Sequence, residues 1–292
     1  MFTSPSGPSD ARLYITDLDG TLLDERGTLR PRSRELLVEA IEEGAHFGVA
    51  SARGIPSILK LLEGIPLRLP VIAKNGAVLG DAATGKVIAA QTFDRSLVNP
   101  VFNALQRYFQ SPIVHTVADH EEAVYVGPHR PPALQWYVEG RKKARDGRVH
   151  EVEDLKCHLK EGVVGFMMFD DLAKVQECAA ALRSEFGSAV AIISQPETYR
   201  PEFGFLTVQS THATKGGGIG LLYKHFEPLA NMHLTVFGDE ANDHELYDVA
   251  HRKIAPRNAI EAIRHRADLV IGRNVEDAVA EFIWNEAVGR KR

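Results

Sequence analysis

The beginning of the chain alternates between short apolar runs and amphipathic segments, and this alternation constrains the fold more than any other feature. Apolar runs lie at residues 13–16, 47–50 and 71–73, and polar or glycine residues follow each of them. Between these runs, residues 31–43 and 55–62 carry apolar side chains at helical spacing. The order strand, helix, strand, helix, strand predicts a parallel sheet with helices on its faces.

The middle of the chain departs from this alternation, and the pattern returns only after Lys215. Predicted strands and helices mix without regular order in the middle segment, which is typical of an α+β unit. We therefore predict an α/β fold, with a doubly wound, Rossmann-like parallel sheet built from residues 1–84 and 210–292. An α+β domain of residues 85–209 is inserted between the two halves. The first ten residues are rich in Ser, Pro and Gly and predict a frayed tail.

The alternation resumes toward the end of the chain. Residues 234–237 and 268–271 form apolar runs that predict two further strands. A closing helix is predicted to run through Trp284, with Asn274 as its N-cap. The two ends of the chain therefore supply the same kind of alternating unit, which favours one domain made from both.

Composition and charge narrow the classes of protein to which the chain can belong. Of its 292 residues, 44% are hydrophobic and 25% are charged, as in ordinary globular proteins. A net charge of -5 argues against a dedicated nucleic-acid binder, and no apolar run approaches the ~18 residues that span a membrane. The two cysteines stand outside any metal-ligand spacing, which fits a reducing compartment. We expect a cytoplasmic protein without nucleic-acid or membrane partners; its oligomeric state cannot be inferred from sequence.

Two carboxylates, Asp17 and Asp19, follow the first predicted strand in the run Asp-Leu-Asp-Gly-Thr. A carboxylate can attack phosphorus and form an aspartyl-phosphate, and a second carboxylate can exchange protons with the leaving oxygen and with water. A turn capped by Asp side chains is the structural alternative. An EF-hand calcium loop does not fit, because Gly20 comes too early and Thr21 stands where Asp or Asn is required.

Two further features could hold a phosphate group. Ser51 lies between a predicted strand and a helix, where a hydroxyl and free backbone N–H groups can bind phosphate oxygens, although such a serine is more often a simple N-cap. Lys215 stands at a predicted helix start, where the helix dipole disfavours a cation unless an anion lies opposite. Taken alone, Lys215 would be interpreted as a solvated surface residue.

A second acidic pair follows the strand predicted at residues 234–237. Asp239 comes directly after Gly238, and Asp243 lies four residues later, about one helical turn on. Carboxylate oxygens suit Mg²⁺, which prefers an octahedral oxygen shell. The structural alternative is an acidic helix start that the helix dipole stabilises.

The combination of these features is more specific than any one of them. Phosphoryl transfer needs a nucleophile, a metal ion, a cation and hydroxyl or amide donors, positioned around one phosphate group. All four features are predicted at the C-terminal ends of strands, where ligands bind in open α/β sheets. The sequence therefore predicts a Mg²⁺-dependent active site for phosphoryl transfer.

These motifs resemble those of the haloacid dehalogenase superfamily of phosphatases, and most closely its Cof-type subfamily with a type IIB cap. The run from Asp17 to Thr21 resembles the first motif, Ser51 the second, Lys215 the third, and residues 238–243 the fourth. The chain departs from the family pattern at Glu240, at Ala52 and at residues 256–259, and none of these departures removes a catalytic group.

The resemblance implies a role for each motif residue. Asp17 would be the nucleophile and Asp19 the acid and base. Mg²⁺ would be held by the Asp17 carboxylate, the Asp19 backbone carbonyl and Asp239, with Asp243 as a further ligand or a support. The phosphoryl group would be bound by three more side chains, Ser51, Lys215 and Asn242. The inserted domain would be a cap that selects the substrate.

Three functions remain open from the sequence. The leading hypothesis is a phosphatase that hydrolyses a small phosphorylated metabolite, such as a sugar phosphate. The alternative is a phosphotransferase or mutase of the phosphomannomutase kind, which would pass the phosphoryl group to a sugar hydroxyl. A third is a non-catalytic metal- or phosphate-binding regulator, although pure binding needs no nucleophile with a neighbouring proton donor. Six polar or aromatic residues of the inserted domain could meet a substrate: Tyr125, Trp136, Tyr137, Arg141, Lys142 and Lys143. For most of them, helix packing or a solvated surface is the better explanation.

Overall fold

A computed structural model of the chain describes residues 11–143, 145–160, 162–197 and 200–289. The frayed tail predicted for the first ten residues lies outside the described residues. No helix among the described residues combines the length and the apolar character that a bilayer span requires.

The chain divides into two compact units, each of which is described separately. The first consists of Met1–Ala89 and Thr214–Arg292, and the second of Ala90–Ala213. The predicted boundaries, after residue 84 and after residue 209, each lie a few residues before those of the units. The first unit carries all the residues to which the sequence assigns chemistry.

The first unit alternates strands and helices in both of its segments. Its strands are β1 (Arg12–Thr16), β2 (His46–Val49), β3 (Val71–Ala73), β4 (Val78–Gly80), β5 (Val87–Ala90), β12 (His233–Phe237), β13 (Arg252–Pro256) and β14 (Leu269–Ile271). Its helices are α1 (Pro31–Glu42), α2 (Ile55–Leu61), α6 (Lys215–His225), α7 (His244–Asp248), α8 (Glu261–Arg266) and α9 (Ala278–Ala287).

The second unit lies between β5 and α6 in the sequence. Its strands are β6 (Ile113–Ala118), β7 (Glu121–Val126), β8 (Val149–Glu151), β9 (Val163–Asp171), β10 (Ala191–Pro196) and β11 (Phe203–Gln209). Its helices are α3 (Arg95–Gln106), α4 (Pro132–Lys143) and α5 (Leu172–Phe186).

A parallel sheet with the order β14-β13-β12-β1-β2 forms the centre of the first unit. Leu13 and Ile15 of β1 and Leu234 and Val236 of β12 are fully buried, as expected of central strands covered on both faces. A smaller sheet, β3-β4-β5, adjoins this sheet through a parallel bridge between residues 50 and 72. The predicted α/β class with a parallel sheet is therefore confirmed.

The second unit is a mixed sheet with the order β10-β11-β9-β6-β7-β8 and its own core. Helices α3 and α5 pack on one face around Phe102, Phe166 and Leu182. Helix α4 packs on the other face, where Tyr137 stacks on Phe169 with ring centroids 4.4 Å apart. This arrangement has the α+β character predicted for the inserted segment.

Three details differ from the sequence predictions. Strand β13 was not predicted, because it begins with Arg252 and Lys253 and ends at a proline, and so lacks an apolar run. Asn274 does not cap the closing helix, which begins at Ala278; it lies in a short 3-10 turn, and its amide donates to the Leu23 carbonyl at 2.8 Å.

Lys215 is the third difference. The sequence predicts it at the end of a strand of the same sheet, whereas it opens α6 after a loop that leaves β11 of the second unit. The preceding Thr214 caps the helix by accepting the Gly217 amide at 3.0 Å.

Candidate active site

The predicted motifs meet at the carboxyl edge of the parallel sheet. Asp17 follows β1, and its backbone amide donates to the Phe237 carbonyl at the end of β12 at 2.9 Å. Asp239 follows β12 directly, after Gly238. Because β1 and β12 are adjacent and parallel, the two acidic loops leave the sheet side by side.

A buried ion-pair cluster joins three of the predicted residues. Lys215 Nζ lies 2.8 Å from Asp17 Oδ1 and 2.6 Å from Asp243 Oδ1. The Lys215 and Asp243 side chains are fully buried, and that of Asp17 is 7% exposed. The cation at the start of α6 therefore has two anions opposite it, which offsets the unfavourable helix dipole.

Asp243 holds the loop between β12 and α7 in place as well as pairing with Lys215. Its Oδ2 atom accepts the backbone amides of Asp239 at 2.9 Å and of Glu240 at 3.1 Å. Both of its oxygens thus have hydrogen-bond partners. Asp239 Oδ1 in turn accepts the Thr21 hydroxyl at 2.6 Å, which links this loop to the one after β1.

Burial and neighbouring charges together shift the pKa values of the cluster. Burial raises the pKa of Asp17 to about 8, against the opposing attraction of the Lys215 ammonium. Burial likewise raises the pKa of Asp239 to about 7, opposed by the Thr21 hydrogen bond. Burial alone would lower the pKa of Lys215, but the carboxylates of Asp17 and Asp243 outweigh it and raise that pKa above its ordinary value.

The donor set of this cluster fits a divalent cation. Asp17, Asp239 and Asp243 each offer a carboxylate oxygen, and these three oxygens lie within 4.8 Å of one another. When all three carboxylates are ionised, they carry three negative charges, and Lys215 balances only one of them. Buried charges are unfavourable unless they are paired, and oxygen-only ligands suit hard divalent cations.

Ser51 lies in the loop between β2 and α2 and is buried. Its backbone amide donates to the Ile72 carbonyl at 2.9 Å, so this amide is engaged within the sheet rather than directed to a ligand. Helix α2 begins only at Ile55, so Ser51 does not cap it. The hydroxyl accepts the Arg53 amide at 3.2 Å and is the group that Ser51 can offer to a phosphate.

Asp19 is held by an arginine that sequence reasoning did not assign to the site. Arg53 Nε and Nη2 lie 2.7 Å and 2.6 Å from the two Asp19 oxygens, a bidentate pair. The Asp19 side chain is half exposed, unlike that of Asp17. Asp19 therefore lies beside the buried cluster with a solvent-accessible carboxylate, as a group that exchanges protons requires.

Asn242 contacts Asn75, which lies in the turn after β3. Its Nδ2 donates to Asn75 Oδ1 at 3.0 Å, which links the loop after β12 to the turn after β3. Asn75 has a left-handed φ of 53° and Gly76 a φ of 91°, where a Cβ would overlap the Thr214 carbonyl. An asparagine followed by glycine after a strand was the available signal for this turn.

Comparisons with known proteins agree with this geometry. The family model for haloacid dehalogenase-like hydrolases matches residues 14–283. A pyridoxal phosphate phosphatase of Escherichia coli is 24% identical, covering 95% of this chain and 99% of the relative. A Bacillus subtilis 5-amino-6-(5-phospho-D-ribitylamino)uracil phosphatase is also 24% identical, covering 93% of this chain and 96% of the relative.

Solved structures show the same fold. A sugar phosphatase described as haloacid dehalogenase subclass IIB superposes with a TM-score of 0.66 at 20% identity, covering 94% of this chain and 98% of the other. This likeness extends over both units of the chain and fits a Rossmann-like core with an inserted cap domain. The family match over residues 14–283 and the cluster around Asp17 identify the chain as a member of the haloacid dehalogenase-like hydrolase family, in its Cof-type phosphatase branch.

Proposed function

We propose that the chain is a Mg²⁺-dependent phosphatase that hydrolyses a small phosphomonoester through an aspartyl-phosphate on Asp17. The observation that carries this proposal is the buried cluster at the end of β1. There the Asp17 carboxylate lies 2.8 Å from Lys215 Nζ, and oxygens of Asp17, Asp239 and Asp243 lie within 4.8 Å of one another. A nucleophile, a cation and a set of metal ligands thus share one site.

Asp17 and Asp239 are the side chains that we assign to the metal, together with the Asp19 backbone carbonyl that the family resemblance adds. Asp243 acts as a support in this proposal, because its oxygens accept Lys215 and two backbone amides. A bound Mg²⁺ would neutralise charge on the phosphate and on the carboxylates around it. Lys215 keeps Asp17 oriented and offers positive charge to the phosphoryl oxygens.

The reaction proceeds in two displacements at phosphorus. An Asp17 oxygen attacks phosphorus, the bond from phosphorus to the leaving oxygen breaks, and Asp19 gives that oxygen a proton. Asp19 then accepts a proton from water as the water oxygen attacks phosphorus. The bond between phosphorus and Asp17 breaks, which releases inorganic phosphate and restores the carboxylate.

Ser51, Lys215 and Asn242 are assigned to the phosphoryl oxygens. The Ser51 hydroxyl is buried in the loop after β2, and the Asn242 amide is oriented by its bond to Asn75. Hydroxyl, ammonium and amide donors around one phosphate stabilise charge without reorganisation during the reaction.

The substrate class follows from the relatives. Those described above are named for a cofactor phosphate, a phosphorylated ribitylamino-uracil and sugar phosphates. Their common chemistry is a phosphomonoester on a small metabolite, and we propose this class for the present chain, with sugar phosphates as the first candidates. We also propose that residues 85–209 form the cap that selects the substrate.

The test of this function is phosphate release from a panel of sugar, nucleotide and cofactor phosphates. Asp17→Asn should lower kcat by about 10³-fold or more with the best substrate, because the amide is a poor nucleophile. Glu25→Gln is the matched control, since Glu25 is an exposed carboxylate a few residues further along the same loop. Removal of divalent ions with EDTA should abolish turnover, and added Mg²⁺ should restore it.

Either of two outcomes would refute the proposal. Asp17→Asn could retain the activity of Glu25→Gln, in which case Asp17 is not the nucleophile. Alternatively, the parent enzyme could convert sugar phosphates into isomers without releasing phosphate, which would show a mutase.

A further inference from the structure

The loop after β13 contacts both acidic loops of the site. Asn258 Nδ2 donates to the Gly20 carbonyl at 2.7 Å, and Gly20 belongs to the loop that carries Asp17. Two residues further on, the Ile260 amide donates to the Asp239 carbonyl at 2.9 Å. One short segment therefore holds the backbone of the nucleophile loop and that of the metal loop.

The orientation of the Asn258 amide is determined by a second asparagine. The Asn274 backbone amide donates to Asn258 Oδ1 at 3.0 Å, which leaves Nδ2 as the group that faces Gly20. The buried Asn274 side chain in turn donates to the Leu23 carbonyl at 2.8 Å. Asn258 and Asn274 together hold the turn of residues 18–22 at two points. One is the Gly20 carbonyl near its middle, and the other is the Leu23 carbonyl just beyond its end.

Gly20 lies against the Asp239 carboxylate, so the two acidic loops approach each other closely at this residue. Its φ of 79° lies in the left-handed region, and a Cβ there would overlap Asp239 Oδ2. Its neighbours are Asp19 and Thr21, and the Thr21 hydroxyl donates to Asp239 Oδ1 at 2.6 Å. A shift of Gly20 would therefore change the separation of the loops that carry Asp17 and Asp239.

We propose that Asn258 is a positioning residue that sets the spacing of the divalent-metal ligands Asp17 and Asp239 by holding the Gly20 carbonyl. This inference rests on the proposed function, because it assigns the metal to those carboxylates. Asn258 is itself exposed, so its side chain contributes hydrogen bonds rather than core packing. Residues that orient metal ligands typically change metal affinity or activity by about 10–100-fold when they are replaced.

The test uses two variants and a neighbouring control in the full chain. Asn258→Ala removes the side chain, and Asn258→Leu keeps its approximate volume without the amide. Arg257→Ala alters the preceding exposed residue on the same loop. Mn²⁺ serves as the probe, and its dissociation constant is measured by electron paramagnetic resonance without substrate, alongside the thermal midpoint of the metal-free protein.

Both Asn258 variants should bind Mn²⁺ at least about 10-fold more weakly than the parent, with thermal midpoints close to that of Arg257→Ala. The Mg²⁺ concentration for half-maximal phosphate release should rise by a similar factor. At saturating Mg²⁺, KM for p-nitrophenyl phosphate should stay within about twofold of the parent value, because the substrate contacts are unchanged.

Mn²⁺ dissociation constants within about twofold of the parent for both Asn258 variants would overturn the inference. An equal loss of Mn²⁺ affinity in Arg257→Ala would also overturn the inference, because any substitution in this loop would then weaken metal binding. If the parent binds Mn²⁺ but releases no phosphate from any substrate, the proposed function fails, and the binding comparison still decides the role of Asn258.

Discussion

Asp17 and Asp19 lie two residues apart and occupy very different surroundings. Asp17 is buried against Lys215, and burial raises its pKa to about 8 although the Lys215 ammonium opposes the rise. Asp19 is half exposed and paired with Arg53. In the proposed mechanism this contrast divides the chemistry: Asp17, as the nucleophile, is shielded from water, while the accessible Asp19 carboxylate exchanges protons.

Asp19→Asn tests that division. We expect kcat for an alkyl phosphate, such as a sugar phosphate, to fall by about 10²–10⁴-fold, because the leaving alkoxide then lacks its proton donor. Formation of the aspartyl-phosphate from p-nitrophenyl phosphate should fall far less, because p-nitrophenolate leaves without protonation. Rapid-quench measurement of p-nitrophenol and of sugar release provides the comparison.

The control for this experiment is Asp24→Asn, which alters a carboxylate on the same loop that caps a local turn through Thr28. It should leave the ratio between the two substrates unchanged. Equal losses for sugar phosphate and p-nitrophenyl phosphate in Asp19→Asn would contradict the role of Asp19 as the proton donor.

At the scale of elements, the site is built by loops that the parallel strands bring to one edge. Strands β1 and β12 supply the loops with Asp17 and Asp239, and glycines allow these loops to approach each other closely. Gly20 has a φ of 79°, and a Cβ there would overlap the Asp239 carboxylate. The geometry of the proposed metal ligands therefore depends on a residue that has no side chain.

Gly20→Ala should weaken binding of Mg²⁺ by at least about 10-fold, because the new methyl group displaces Asp239. Isothermal titration calorimetry of the metal-free protein measures this change. Gly44→Ala is the matched control: Gly44 also has a left-handed φ, 103°, but a Cβ there meets nothing within 4 Å. It should cost about 1–2 kcal/mol of stability and leave Mg²⁺ affinity unchanged.

Equal Mg²⁺ affinities for Gly20→Ala and Gly44→Ala would show that the close approach of the two loops is unimportant for the metal.

The alternation of strands and helices in the first unit was predictable from the sequence apart from β13, whereas the hydrogen bonds between its loops were not. Residues 71–73 were predicted as a strand and form β3, because their apolar run stands between clear breaks. The links from Arg53 to Asp19 and from Asn258 to Gly20 join residues far apart in the chain. A single sequence holds no periodicity or spacing that reports such contacts.

At the scale of the whole molecule, the two units have separate apolar cores. Phe102, Phe166 and Leu182 belong to the core of the second unit, whereas Ile15 and Leu234 belong to that of the first. Units with their own cores can respond separately to a ligand that binds one of them. The proposed metal ligands all belong to the first unit.

Each unit also contains one of the two tryptophans, so their unfolding can be followed separately. Trp136 packs near Phe203 in the second unit, and Trp284 donates to Glu39 at 2.8 Å in the first. In Trp136→Phe, Trp284 is the remaining tryptophan, and its fluorescence follows the urea unfolding of the first unit. Mg²⁺ at 100 times its dissociation constant should raise the free energy of unfolding of this unit by about 2.7 kcal/mol. In Trp284→Phe, the urea midpoint reported by Trp136 should stay unchanged.

Asp239→Asn, combined with Trp136→Phe, is the control. It should remove the effect of Mg²⁺ on the urea midpoint that Trp284 reports. Equal shifts of the Trp136 and Trp284 midpoints would contradict separate responses of the two units.

The claim that Asp17 carries the phosphoryl group is tested most directly by chemical trapping of the covalent intermediate. The enzyme is mixed with Mg²⁺ and its best substrate, quenched during turnover and reduced with borohydride, which converts an aspartyl-phosphate to homoserine. Peptide mass spectrometry should then locate homoserine at position 17 and leave Asp19 and Asp239 unmodified. Homoserine at another aspartate, or none at position 17 while phosphate is being released, would contradict the account.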